Sequence, residues 1–256
     1  MIRSSEWFSF DDVYSSQYGI KNVTIDTGMY EEHFTRERKI IEKKIKGRSK
    51  PYYKEIESEP LTIPVTFAFM NSWDDSSIRE VIRWLTSPTQ YKPLIFSQNP
   101  SKIYYALAVD KPDLIHNGLS QGYVQMTFRC NDAYAYSPIY LSQIYDLTSN
   151  PIYTDIQLTN NGDEIIYPEI FVDKIGIGDF SIQNLSNSGE TLLFEDLSDG
   201  EELYIDGENE QIETNLLLTD RYDNHNNIFL SFPLGVNTLR VYGNIKLRFR
   251  YQEKFM

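Results

Sequence analysis

Leu61-Thr-Ile-Pro-Val-Thr-Phe-Ala-Phe69 and, a few residues later, Asp74-Asp-Ser-Ser-Ile-Arg-Glu-Val-Ile-Arg-Trp-Leu-Thr86 follow two different hydrophobic periods. In the first stretch Leu61, Ile63, Val65, Phe67 and Phe69 alternate with Thr62, Pro64, Thr66 and Ala68, the two-residue period of a half-buried strand. Pro64 has no N–H for a ladder, which predicts an edge strand or a position turned away from its neighbour. In the second stretch Ile78, Val81, Ile82 and Leu85 recur at helical spacing, predicting one amphipathic helix of about three turns. Acidic and hydroxyl residues at its start can cap the free N–H groups and meet the positive end of the dipole, and Ser87-Pro88 stops it. Outward from this pair, strand-like runs follow at Leu94-Ile-Phe96, Ile103–Val109 and Tyr123–Cys130, with turn signals at Asn99-Pro100 and Gly118. The first half is therefore expected to be β-rich with one helix.

Charge divides the chain. Residues 1–140 carry 17 Lys and Arg against 17 Asp and Glu, whereas residues 141–256 carry 7 against 20, so the whole net charge of −13 falls beyond the aromatic segment Asp132-Ala-Tyr-Ala-Tyr-Ser-Pro138. Net charge governs solubility and long-range association rather than fold, so this step points to two domains with separate jobs. The expected division is 1–138 and 139–256. A content of 19 Tyr leans toward β-structure and contact surfaces, where an apolar ring and a polar tip are both used. The acidic balance argues against DNA binding by the whole molecule, since that affinity comes mostly from Lys and Arg on phosphates. Met1-Ile-Arg-Ser-Ser-Glu-Trp-Phe lacks the apolar stretch of a signal peptide, and no run is long enough to cross a membrane.

Beyond Pro138 turn signals recur at Asn160-Asn-Gly162, Asn187-Ser-Gly189, Asp199-Gly200, Asp206-Gly207, Gly235 and Gly243-Asn244, with short alternating runs between them. This spacing predicts a sandwich or jelly roll. In the last strand Ile245, Leu247, Phe249 and Tyr251 are expected to face in and Lys246, Arg248 and Arg250 out. Glu169 and Asp173, alternating with Ile170 and Val172, are the expected cross-strand partners of Lys246 and Arg248.

Catalytic signals are sparse. His33, His116 and His225 are isolated in sequence, and a single cysteine, Cys130, leaves no multi-cysteine zinc site; at the end of an apolar strand it is expected to be a buried structural thiol. No nucleophile elbow or phosphate-cradling glycine motif occurs, and Gly176-Ile-Gly178 is expected to be a turn between strands. A carboxylate pair for glycoside hydrolysis is an empty signal where acids are this common. The run Asp220-Arg-Tyr-Asp-Asn-His-Asn-Asn227 lacks the glycine and terminal Glu of a calcium loop and is expected to be a polar surface loop. No cofactor, metal site or enzymatic activity is expected. One concentration of charge stands out: Arg36, Arg38, Lys39, Lys43, Lys44, Lys46, Arg48, Lys50 and Lys54 crowd around Gly47. It is either a solvated hairpin or an arm gripping an acidic neighbour.

The order of these pieces resembles the distal tail protein (Dit) family of siphophages that infect Gram-positive bacteria. In the first half the resemblance is carried by Tyr18-Gly-Ile20, the strand Leu61–Phe69, the helix Asp74–Thr86, Pro93–Ser97, Ser101–Ala106 and Met126–Asp132. In the second half it is carried by Asn160-Asn-Gly162, Tyr167-Pro168, Gly200–Asp206, Leu234–Asn237 and Phe249-Arg-Tyr251, similar to that family's galectin-like arm. The family's hairpin loop is often glycine-rich, whereas here Gly47 is flanked by Lys46 and Arg48. The resemblance implies a non-enzymatic virion protein at the tail tip, made in the host cytoplasm. It implies a homo-hexameric ring of N-terminal domains around a channel that passes DNA without reading its sequence, with galectin-like β-sandwich arms outside. Implied partners are the tail-tube protein, a tail-associated hub or fibre protein and, in some phages, a receptor-binding protein. The basic residues Arg36 to Lys50 would contact a neighbouring subunit or line the channel. The competing expectation is a carbohydrate-binding module for the host cell wall, weakened because Trp7, Trp73 and Trp84 all lie in the first half.

Overall fold

In a computed structural model, residues 5–23, 37–71, 74–116 and 122–256 are described. The chain divides into two compact units, Met1–Tyr136 (with Met256) and Ser137–Phe255. The first contains strands β1 (Phe8–Phe10), β2 (Val13–Tyr14), β3 (Ile20–Asn22), β4 (Arg38–Lys43), β5 (Tyr52–Ser58) and β6 (Thr62–Phe69), then helix α1 (Asp75–Thr86) and strands β7 (Lys92–Phe96), β8 (Ile103–His116), β9 (Gly122–Cys130) and β10 (Ala135–Tyr136). The main antiparallel sheet runs β2-β1-β7-β8-β9-β6-β3, while β4 and β5 form a separate two-stranded sheet among the described residues.

The core of this sheet is aromatic. Phe8 is fully buried and its ring centre lies 6.1 Å from Phe67, 5.6 Å from Trp84, 6.4 Å from Phe96 and 6.1 Å from Phe128. Cys130 lies in the same core, and burial pushes its thiol up to about 12, so it stays protonated and packs as a small hydrophobe. Helix α1 begins where the Asp74 side chain accepts from Ser77 N–H at 2.8 Å. Its buried face is Val81, Trp84 and Leu85, so the expected stripe is displaced: Ile82 is 54% exposed and Trp84 takes its place. The indole decides the helix rotation. It stacks on Phe8 and on Tyr18, and its Nε1–H donates to the Phe10 carbonyl at 2.9 Å, satisfying the one polar atom that would resist burial. Residues Thr62–Ala68 of β6 pair with β9, and β3 pairs with Phe67–Phe69 on the other side, so among the described residues Pro64 sits where β6 is an edge, one of the two expected placements.

The second unit contains β11 (Tyr140–Leu141), β12 (Tyr145–Leu147), β13 (Tyr153–Asn160), β14 (Glu169–Lys174), β15 (Gly178–Asn184), β16 (Glu190–Leu197), β17 (Glu202–Asp206), β18 (Gln211–Thr214), β19 (Gly235–Tyr242), β20 (Ile245–Tyr251) and β21 (Lys254–Phe255). One sheet runs β11-β20-β14-β17-β18 with β12 also on β20, and a four-stranded sheet runs β13-β19-β15-β16. Their inward residues form one core, with Val172, Ile205, Leu247 and Phe249 from the first sheet and Ile182, Phe194, Leu239 and Val241 from the second. Strand β20 alternates as expected, with Ile245, Leu247 and Phe249 buried. Its cationic row is only partly paired as anticipated. Asp173 lies opposite Lys246, but Glu169 lies opposite Arg250 and accepts from its Nη1 at 3.0 Å. Arg248 falls opposite Phe171 and donates to the Ser142 carbonyl at 3.1 Å, because the antiparallel register interposes an aromatic between the two acids.

Gly243 joins β19 to β20 at φ +90, and a Cβ there would lie 2.7 Å from the Asp179 carbonyl oxygen and 3.0 Å from Phe180 Cα. Both obstacles are backbone, so Gly243→Ala is expected to destabilise the second unit by about 1–3 kcal/mol, read from its urea midpoint. A midpoint equal to that of the unchanged protein would refute this account.

Candidate functional site

The hairpin β4–β5 is the feature of the first unit that its own core does not explain. Arg38-Lys-Ile-Ile-Glu-Lys43 and Tyr52-Tyr-Lys-Glu-Ile-Glu-Ser58 are rich in β-branched and aromatic residues, which favour strands. They pair antiparallel with Lys39 opposite Glu57 and Ile40 opposite Ile56, and a bulge follows Ile41. At the tip Arg48 N–H donates to the Ile45 carbonyl at 3.1 Å and Gly47 takes φ +88, a conformation that suits glycine. The Arg48 guanidinium donates to the Tyr52 hydroxyl and lies 5.1 Å from the ring centre, fixing one cation over an aromatic face.

This hairpin places Arg38, Lys39 and Lys43 on β4 and Lys44, Lys46, Arg48 and Lys50 around the tip, all exposed; Arg36 lies outside the described residues. The cations are interleaved with exposed apolar groups. Ile40 is 60% exposed, Tyr53 63% and Ile56 38%. The signal for them was legible in the alternation of isoleucine and tyrosine with lysine. A two-stranded ribbon is at best marginal alone in water, and this one shows isoleucine and tyrosine to solvent. Its composition fits a contact arm.

The acidic unit holds a second organised region that has no local sequence signature. Glu201, between β16 and β17, is fully buried and bridges to Arg221, whose Nε and Nη2 donate to its two oxygens at 2.8 and 2.7 Å. Thr214 Oγ1 donates at 2.7 Å and Ser198 N–H at 3.1 Å. Burial pushes the Glu201 carboxyl up, but the hydrogen bonds from Arg221, Ser198 and Thr214 outweigh it and hold the group below the usual carboxylate range. The run Asp220–Asn227 is therefore not simply a polar surface loop. Arg221 turns inward to Glu201, and His225 is buried, stacking on Phe194 at 4.6 Å between ring centres and meeting Phe229 edge-on at 4.9 Å.

His225 Nε2 contacts the Ile228 carbonyl at 3.2 Å, and Nδ1 has no partner among the described residues. Burial lowers its proton affinity, partly offset by that backbone contact. The native ring thus stays neutral where the unfolded ring, at its ordinary pKa of about 6.5, takes a proton. Stability from this site is present above about pH 6.5 and is lost as pH falls below it toward the lower native value. His225→Phe is expected to flatten the fall in urea midpoint between about pH 7.5 and pH 5.5; an unchanged slope would reject the assignment.

Among the described residues no group of three or more His, Cys, Asp or Glu is placed to hold a metal ion, and no described helix is long and apolar enough to cross a membrane. Cys130 is inside the first core. The organised features of the two units are thus an exposed, charged hairpin in the first and a buried ion pair in the second.

Comparison with known proteins accounts for this character. Residues 3–132 match the family described as phage tail protein N-terminal domain, and residues 134–251 match the phage tail C-terminal domain. The chain belongs to this phage tail protein family. It is 32% identical over 256 residues to the SPbeta prophage-derived uncharacterized protein YomH of Bacillus subtilis (strain 168), covering 100% of each chain. In fold, this phage tail protein is similar to the crystal structure of SPP1 Dit, with a TM-score of 0.68 at 15% identity over 98% of this chain and 99% of that one. It is also similar to a chain of the phage P2 baseplate in its activated conformation with Ca, with a TM-score of 0.52 at 7% identity over 97% and 98% of the two chains. The mainly β architecture with one helix is thus the Dit fold.

Proposed function

We propose that this phage tail protein is a non-enzymatic hub of the tail tip, in which copies of the N-terminal unit close a six-fold ring with an open channel for the genome. The observation that carries this reading is the chain-length likeness in fold to SPP1 Dit, whose structure is described as a paradigm of the hub adsorption apparatus in Gram-positive infecting phages. A closed ring uses heterologous contacts, so each subunit must offer two different complementary patches. The exposed hairpin β4–β5 supplies one, with Lys43, Lys44, Lys46 and Arg48 as its charged contacts. In this reading residues 1–138 assemble the ring, residues 139–256 form galectin-like arms outside it, and the tail tube and a tail-associated hub or fibre protein meet its two faces. Electron microscopy of the purified chain is expected to show rings with a central hole. Monomers at every concentration would overturn the hub.

A second reading, adhesion to cell-wall carbohydrate, has one supporting observation that the tryptophan positions had obscured. On the four-stranded sheet Tyr153 and Tyr242 sit 5.9 Å apart, and Arg240, held by Asp155 through two 2.8 Å hydrogen bonds, lies 4.0 Å from the Tyr153 ring centre. Retention of the chain on bacterial cell-wall polysaccharide, lost in Tyr153→Ala, would favour it.

A further inference from the structure

Between β18 and Arg221 the chain shows Asn215-Leu-Leu-Leu-Thr-Asp220, and its tip is anomalous: Leu217 is 92% exposed and Leu218 108% exposed. Leu218 also sits at φ 57, in the left-handed region that a bulky side chain rarely adopts. Exposure of this kind is costly in an isolated molecule, yet the base of the loop is built to hold it. Thr214 and Arg221, the residues on either side, are clamped by the same buried carboxylate of Glu201. Asn215 exchanges two 3.1 Å hydrogen bonds with the backbone of Glu202. The two leucines are therefore presented on a pre-ordered support, the arrangement of an apolar anchor that inserts into a partner.

The surroundings select the partner. Exposed Glu213, Asp220 and Asp223 flank the tip, so its complement should combine apolar groups with cations. Such a surface exists on the chain itself, at the hairpin β4–β5, where Ile45 is 43% exposed and Tyr52 47% among Lys43, Lys44, Lys46 and Arg48. We propose that the Leu217–Leu218 tip of one copy docks against the tip of the β4–β5 hairpin of a second copy. This rests on the hub reading and adds to its ring contacts one between the arm of one copy and the ring unit of another, an acidic apolar knob against a basic apolar ribbon.

Disulfide trapping tests it in the full chain. The one native cysteine, Cys130, is buried, so unmodified protein should stay silent under mild oxidation. Ile45→Cys and Leu218→Cys are prepared separately and mixed. The expected result is a covalent dimer in the mixture that neither variant forms alone. Independently, Leu217→Asp with Leu218→Asp should raise the concentration for half-assembly at least about tenfold without shifting Tm, since the removed side chains are exposed in the monomer and central in the contact. Absence of the mixed disulfide, or assembly unaffected by the aspartates, overturns the contact. So does a cross-link confined within single chains of the Ile45→Cys and Leu218→Cys double variant. Rings that persist without the mixed disulfide overturn this contact and leave the hub standing, whereas monomers at every concentration overturn both.

Discussion

Glu201→Ala is expected to destabilise the C-terminal unit by about 3–5 kcal/mol, which is a large part of the stability of a unit this size. The change leaves the Arg221 guanidinium, 9% exposed, without the carboxylate that takes two of its donors, and strips Thr214 and the Ser198 N–H of their acceptor. Removing one member of a buried ion pair costs far more than the pair contributes net, because the survivor stays desolvated and uncompensated. The same site has a pH signature. The native carboxyl is held below its ordinary value, so its contribution is present above the unfolded pKa of about 4.3 and is lost as pH falls through the native one. Equilibrium urea unfolding at neutral pH measures the first effect, and acid titration of the variant, with a flattened dependence below about pH 4.3, measures the second. A loss under about 1 kcal/mol would mean that Arg221 finds another partner or water.

Replacing Lys43, Lys44, Lys46 and Arg48 together by Glu should abolish ring assembly while leaving both units folded. All four side chains are exposed, so the substitutions cost the monomer little. They add negative charge to a chain already at −13, and they turn the hairpin from a complement of the acidic unit into a repellent of it. Loss of rings in electron micrographs, with unchanged far-ultraviolet circular dichroism and Tm, is the expected outcome. Added salt should not restore the rings of the variant, because screening removes repulsion without supplying the lost attraction. Rings of normal stability in the variant would place the hairpin outside the assembly contacts.

Much of the fold was open to inspection in the residues. Leu61–Phe69 and Ile245–Tyr251 declared their inward faces by alternation, and Asp74 with Ser77 declared a helix start, because each of these signals lies within a few residues. The buried helix face differs from the periodic stripe at Ile82 and Trp84, since spacing alone does not register that Phe8 and Tyr18 stack on an indole from one side. The candidate surfaces divide in the same way. The basic hairpin is visible as composition, and the alternation of isoleucine and tyrosine with lysine is visible beside it, while the exposure of Ile40, Tyr53 and Ile56 on a separate two-stranded sheet is decided by the tertiary structure.

By itself the sequence determined the mainly β class, the helix after Asp74, the separation of a charge-balanced half from an acidic one, and the run of motifs shared with a phage tail family. These follow from local periodicity, capping and composition, quantities carried by neighbours in the chain. Only the tertiary structure decided that Glu201 meets Arg221, that His225 is stacked in an apolar core, and that Leu217 and Leu218 stand in solvent on a clamped base. Those outcomes depend on strand order and register, which bring together residues far apart in sequence, and burial sets their energies only after the chain has closed around them.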